Sequence, residues 1–109
     1  MSPEERVHSA LVAHRGREAA ISAPRLCRRL GWSHGRERDI RKIIERHANS
    51  DWPGVLCGVP GLGYFFAADL EEIHTYRKYL VALKTAAASK LKNFDTAAAR
   101  EGFQMKEAA

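Results

Sequence analysis

The stretch GWSHGRERDIRKIIERH, Gly31 to His47, constrains this chain more than any other. Ile40, Ile43, Ile44 and His47 recur at three- and four-residue spacing, which puts them on one face of a helix. Arg38, Arg41, Lys42 and Glu45 fall mostly on the other face. A helix divided in this way must rest its apolar side on a core and turn its cationic side outward. A shorter helix, Pro24 to Leu30, comes just before it, across a Gly31-Trp32-Ser33 turn.

Helix, tight turn, then a helix with an apolar floor and an Arg-rich outer face is the helix-turn-helix pattern, which suggests a grip on nucleic acid. A solvated basic face on a three-helix core accounts for the same residues. Charge placement favours the grip. The chain carries a net +5, yet residues 15–46 alone carry +6, and the remainder is nearly neutral. Local basicity of this kind is a footprint for a polyanion. Arg outnumbers Lys in this stretch, and its guanidinium can fork onto a phosphate or a guanine edge.

A length of 109 residues suits one small domain with a single core. No apolar run approaches the ~20 residues that span a bilayer. Met1 to Arg6 is polar and acidic, unlike a secretory leader, so a cytoplasmic location is expected. Cys27 and Cys57 lie far apart without CxxC spacing and read as reduced, buried thiols. His8, His14, His34, His47 and His74 have no metal-ligand spacing with them, so no metal and no cofactor are expected. GVPGLG lacks the Lys-Ser/Thr of a phosphate loop, and no nucleophile or carboxylate pair follows a strand. No enzymatic activity is expected.

Along the chain, Ser2-Pro3-Glu4-Glu5 is a capping box opening a first helix with Val7, Ala10, Leu11 and His14 inward, ended by Gly16. Ala19-Ala20-Ile21 reads as a short extended piece. Ser22 caps the second helix, Gly31 closes it in a left-handed conformation, and Trp32 folds back onto the core. The third helix starts near Ser33 to Arg36 and runs to about Ala48. Val55-Leu56-Cys57 and Gly63-Tyr64-Phe65-Phe66 read as a hairpin joined by Gly58 to Leu62. Asp69 and Glu72 form a second capping box. A helix of ~38 Å follows to about Asn93, too long for its own domain. Ile73, Tyr76 and Leu80 are expected to pack on the domain, and a frayed helix is expected around Thr96 to Gly102. The fold class is mainly α with a small β-hairpin and a long C-terminal helix.

This order, with the motifs ISAPRLCRRLGW, RDIRKII and GVPGLGYFFAADLEEIHTYRKYL, resembles the small winged-helix DNA-binding proteins of bacteriophages and prophages. The resemblance covers about residues 3 to 84. It implies a winged helix-turn-helix over residues 2–84, followed by a helix extension and tail over 85–109. It also implies a non-catalytic regulatory or replication-linked protein that binds double-stranded DNA. The third helix would then reach base edges with Ser33, His34, Arg36, Arg38, Arg41 and Lys42. Arg25, Arg28 and Arg29 would sit on phosphates. Arg36, four before Ile40, leans toward the core side.

Two features stand apart from that pattern. The expected wing is apolar at its tip, with Val59, Pro60 and Leu62, and offers no counterion release. Such a tip suits a protein contact. The alternative is therefore a protein-interaction winged helix that binds and inhibits a host or phage protein, such as a defence complex. Beyond the domain, Leu83, Ala87, Leu91 and Phe94 form a stripe that a second copy would cover, giving a homodimer suited to two half-sites. Otherwise the chain turns near Asn93-Phe94-Asp95 and folds Phe103 back onto its own core.

Overall fold

The computed structural model describes residues 1–33 and 35–103. Among the described residues the order is α1 (Pro3–Val12), a 3₁₀ turn (Arg17–Ala19), α2 (Ala23–Leu30), α3 (Glu37–His47), β1 (Leu56–Val59), β2 (Gly63–Phe66) and α4 (Leu70–Arg100). The chain is thus mainly helical, with a two-stranded antiparallel sheet and a long C-terminal helix. It forms two compact units, Met1–His74 and a second that begins at Thr75. No described helix is long and apolar enough to cross a membrane.

The core of the first unit collects one face from each element. Val7 and Leu11 of α1, Leu26 and Cys27 of α2, and Ile40 and Ile44 of α3 are buried together with Ile21, Leu56 and Phe66. Trp32, Ile43, Trp52 and Tyr64 close over them, half-buried. The helix starts are set locally. Ser2 Oγ accepts the Glu5 N–H (3.1 Å) and Glu5 Oε1 accepts the Ser2 N–H (3.4 Å), completing the expected box. Ser22 Oγ accepts the Arg25 N–H at the head of α2.

The hairpin pairs Leu56 with Phe66, Cys57 with Phe65, Gly58 with Tyr64 and Val59 with Gly63. Its second strand is paired on both sides. Tyr64 exchanges two hydrogen bonds with Ile21 (2.8 and 2.9 Å). The Phe66 N–H donates to His14 O, and its carbonyl accepts the Gly16 N–H, both at 2.8 Å. The chain crosses so closely here that a Cβ on Gly63 would lie 2.4 Å from Ile21 O, and Gly63 sits at φ 113°. Only glycine fits both conditions. On the outer edge, Asn49 takes a left-handed conformation (φ 62°) and its side-chain amide bonds both backbone groups of Leu56, at 2.7 and 3.0 Å.

Several boundaries differ from the sequence expectation. The first helix ends at Val12, before Gly16. Arg17–Ala19 is a 3₁₀ turn, and only Ile21 of the expected extended piece bridges to the sheet. Gly58 and Val59 belong to β1, so the hairpin loop is Pro60–Leu62. The third helix starts at Glu37, not between Ser33 and Arg36. Gly35 at φ 97° explains the delay, because a left-handed residue cannot lie within a right-handed helix. Asp69 Oδ1 caps the Glu72 N–H (2.9 Å), but Glu72 does not reach back to Asp69. Its carboxylate instead accepts the Ala68 N–H (2.8 Å) and the Arg17 N–H (2.7 Å), tying the 3₁₀ turn to the start of α4.

The last helix also differs. It runs unbroken through Asn93–Asp95 to Arg100, 31 residues or ~46 Å. There is no separate frayed helix, and the chain does not turn at Asn93–Asp95. No residue of α4 is buried, Leu80 is 45% exposed, and Phe103 is 67% exposed.

Ile44→Ala should cost about 2–5 kcal/mol by leaving a cavity under α3. Asn49→Ala should cost about 1–3 kcal/mol by stripping two partners from the Leu56 backbone. Urea denaturation checks both; parental stability in either variant would refute the packing described.

Candidate nucleic-acid interface

The turn between α2 and α3 is built from backbone bonds. The Gly31 N–H donates to Arg28 O (3.1 Å) and the Trp32 N–H to Cys27 O (3.0 Å), with Gly31 left-handed at φ 71°. These paired bonds are the Schellman closure of a helix. They deliver Trp32 onto the core, where it packs half-buried. Two cations then gather on its indole. The Arg36 guanidinium lies 4.1 Å from the ring centroid and that of Arg6 5.9 Å. Arg6 also donates to Leu30 O at 2.7 Å, a cation at the negative end of α2.

The candidate residues separate into two sets. Arg36 is engaged locally: besides Trp32, its Nε donates to Asp39 Oδ2 at 3.0 Å. Arg38, Arg41 and Lys42 are exposed on α3, opposite buried Ile40 and Ile44. Arg25, Arg28 and Arg29 are exposed on α2. Ser33 is exposed, and its carbonyl accepts the Arg36 N–H (3.3 Å). His34 lies outside the described residues. Glu37 and Asp39 occupy the first turn of α3, where they suit the helix dipole and repel an anion from that end. An anion meeting α3 therefore meets its outward flank first.

His8, His14 and His47 serve packing and hydrogen bonding. His14 Nδ1 donates to Ala19 O (2.7 Å), which leaves Nε2 to accept from Arg29 at 3.4 Å. His8 and His47 both stack on Trp52, at 4.9 and 5.9 Å, and His47 Nδ1 bonds Asp51 at 2.7 Å. Cys27 and Cys57 are buried free thiols, and burial pushes both thiols up from their ordinary acidity. No cluster of three metal-ligating side chains occurs among the described residues. At the hairpin tip Pro60 is exposed, whereas Val59 and Leu62 are half-buried. The stripe residues Leu83, Ala87, Leu91 and Phe94 are all exposed, Leu83 by 49% and Leu91 and Phe94 by 61% each.

Sequence reasoning passed over Arg6 and the local engagement of Arg36. Arg6 acts across 24 positions of sequence, which no local pattern reports. Asp39 three residues after Arg36 was a readable signal for the ion pair. No protein-family model matches the chain, and neither a curated protein nor a solved structure does.

Arg36→Ala should lower stability by ~1 kcal/mol, since a partly exposed ion pair and a surface cation–π contact are each small. Arg38→Ala and Arg41→Ala should stay within ~0.5 kcal/mol of the parent, as exposed side chains free of packing do. Thermal melts of the three variants, run side by side, check this ordering.

Proposed function

We propose that this chain is a non-catalytic, winged-helix DNA-binding protein of phage or mobile-element type, with a regulatory or replication-linked role. One observation carries the reading. Arg38, Arg41 and Lys42 project from the outward face of α3, the helix that follows the tight turn after α2, while its other face is buried. Three further features support it. Arg25, Arg28 and Arg29 stand exposed on the preceding helix, as phosphate contact would need. The connection between α1 and α2 bridges to β2 at Arg15 and Ile21 and adds a third ply to the hairpin, of the kind a winged helix has. The 15–46 segment supplies a +6 charge. The exposed stripe Leu83, Ala87, Leu91 and Phe94 would pair two copies, so that two heads meet two half-sites with a high effective concentration.

The second reading is a protein-binding winged helix that blocks a host or phage protein. What favours it is the hairpin. From His47 to Tyr76 there is no Lys or Arg, so neither the hairpin nor its flanks carry a cation for the minor groove.

Duplex DNA binding is expected to weaken steeply with salt, with a log–log slope of about −0.9 for each phosphate neutralised. Arg38→Ala and Arg41→Ala should each cost ~1–3 kcal/mol on the preferred site and relax one position. Absent or salt-independent duplex binding favours the protein partner instead. Sedimentation equilibrium tests the pairing: truncation after Leu83 should yield a monomer with weaker DNA binding. A full-length monomer at tens of micromolar, roughly where a weak specific dimer forms, would remove the dimer from the proposal.

A further inference from the structure

The near-neutrality of the chain outside residues 15–46 conceals a second segregation of charge. Between Glu72 and Asp95 lie Arg77, Lys78, Lys84, Lys90 and Lys92, and no acidic residue. That segment carries +5, as much as the whole chain, and is separated from the first basic block by residues 47–72, which hold four carboxylates and no Lys or Arg. All five cations are exposed on α4, and no carboxylate among the described residues forms an ion pair with any of them.

Helical geometry sorts them. At ~100° per residue, Arg77, Lys78, Lys84 and Lys92 fall within an arc of roughly 120°, spread over ~22 Å of helix axis. Leu80, Leu83, Ala87, Leu91 and Phe94 occupy a neighbouring arc of ~80°, and Lys90 lies beyond its far side. The cationic face is therefore distinct from the apolar stripe and stays open if that stripe is covered by a second copy. The kind of cation differs as well. Nine of the ten basic residues in 15–46 are Arg, whereas four of the five between Glu72 and Asp95 are Lys. A compositional bias toward Arg would act on both segments alike. Arg's planar fork suits base edges; the compact, rotatable ammonium of Lys acts as a point charge and suits phosphates whatever the sequence.

We infer that Arg77, Lys78, Lys84 and Lys92 form a second duplex-contacting surface, one that grips phosphates without reading sequence. This rests on the duplex-binding reading above and divides the labour within it: the Arg-rich α2–α3 segment discriminates, and the Lys-rich helix adds sequence-independent affinity.

The test compares the full chain with the quadruple variant Arg77→Gln, Lys78→Gln, Lys84→Gln, Lys92→Gln, measuring duplex affinity across salt on preferred and random sequences. The variant's log–log slope should be shallower by roughly 2–4, at ~0.9 for each phosphate no longer neutralised. Affinity for the two duplexes should fall by the same factor, leaving the preference ratio unchanged. If the parent fails to bind duplex at low salt, both readings fall. A variant slope within ~0.9 of the parent's overturns this inference alone. A changed preference ratio overturns the sequence-independent role. Loss of binding to phosphatidylcholine–phosphatidylserine vesicles with an unaltered duplex slope overturns it in favour of a lipid surface. Circular dichroism monitors the helix; should the quadruple variant lose it, Lys84→Gln and Lys92→Gln singly, each expected to reduce the slope by ~0.9, decide the matter.

Discussion

The double pairing of β2 is the constraint on which the first unit depends. One strand of four residues receives β1 on one side and the chain around His14, Gly16 and Ile21 on the other. The hairpin alone would be marginal, since two isolated strands seldom hold together in water. Here the hydrogen bonds to Ile21 and His14 fix it to the connection between α1 and α2. Burial of Phe66 then joins the strand to the helices. Gly63 permits the approach: any side chain there would strike the Ile21 carbonyl. Glu72 adds a lateral tie through Arg17, so the turn after α1 is held from two sides.

This anchoring bears on the basic helices because α2 follows directly from Ile21. With Ile21 fixed, Ser22 caps α2, the Gly31 closure sets the exit, and Trp32 inserts before α3 begins. Arg36 then engages both the Asp39 carboxylate and the Trp32 ring. Of the cations at the head of α3, Arg38, Arg41 and Lys42 are left facing outward. The division follows from helical phase: Arg36 lies four before buried Ile40, and Arg38 only two.

Much of this was legible because it is local. Ser2, Ser22 and Asp69 announced their helices, Gly31 announced a stop, and the Ile40/Ile44 spacing announced which side of α3 is buried. What was not legible depends on partners distant in sequence. Glu72 looked like half of a capping box, and its true acceptor role toward Arg17 lies 55 residues away. Asn49 looked like generic turn material, yet it completes a strand. Among the candidate contacts, exposure of Arg38 and Arg41 followed from helical phase, whereas Arg36's engagement needed Trp32 in place. The end of α4 was misplaced for a simpler reason. Asn93 suggested a stop, but neither Gly nor Pro interrupts the chain before Gly102, so the helix continues.

The Asn49 amide has a bearing on how copies of this chain can associate. Outward-facing positions on an antiparallel edge alternate, so on β1 they are Leu56 and Gly58. With both polar groups of Leu56 already occupied by Asn49, an incoming strand would find a single rung, too little to set a register. Cross-β stacking and strand exchange are thereby discouraged in a protein that carries a long, unburied, partly apolar helix. A side chain in a loop thus acts as a molecular plug on the outer edge of the sheet.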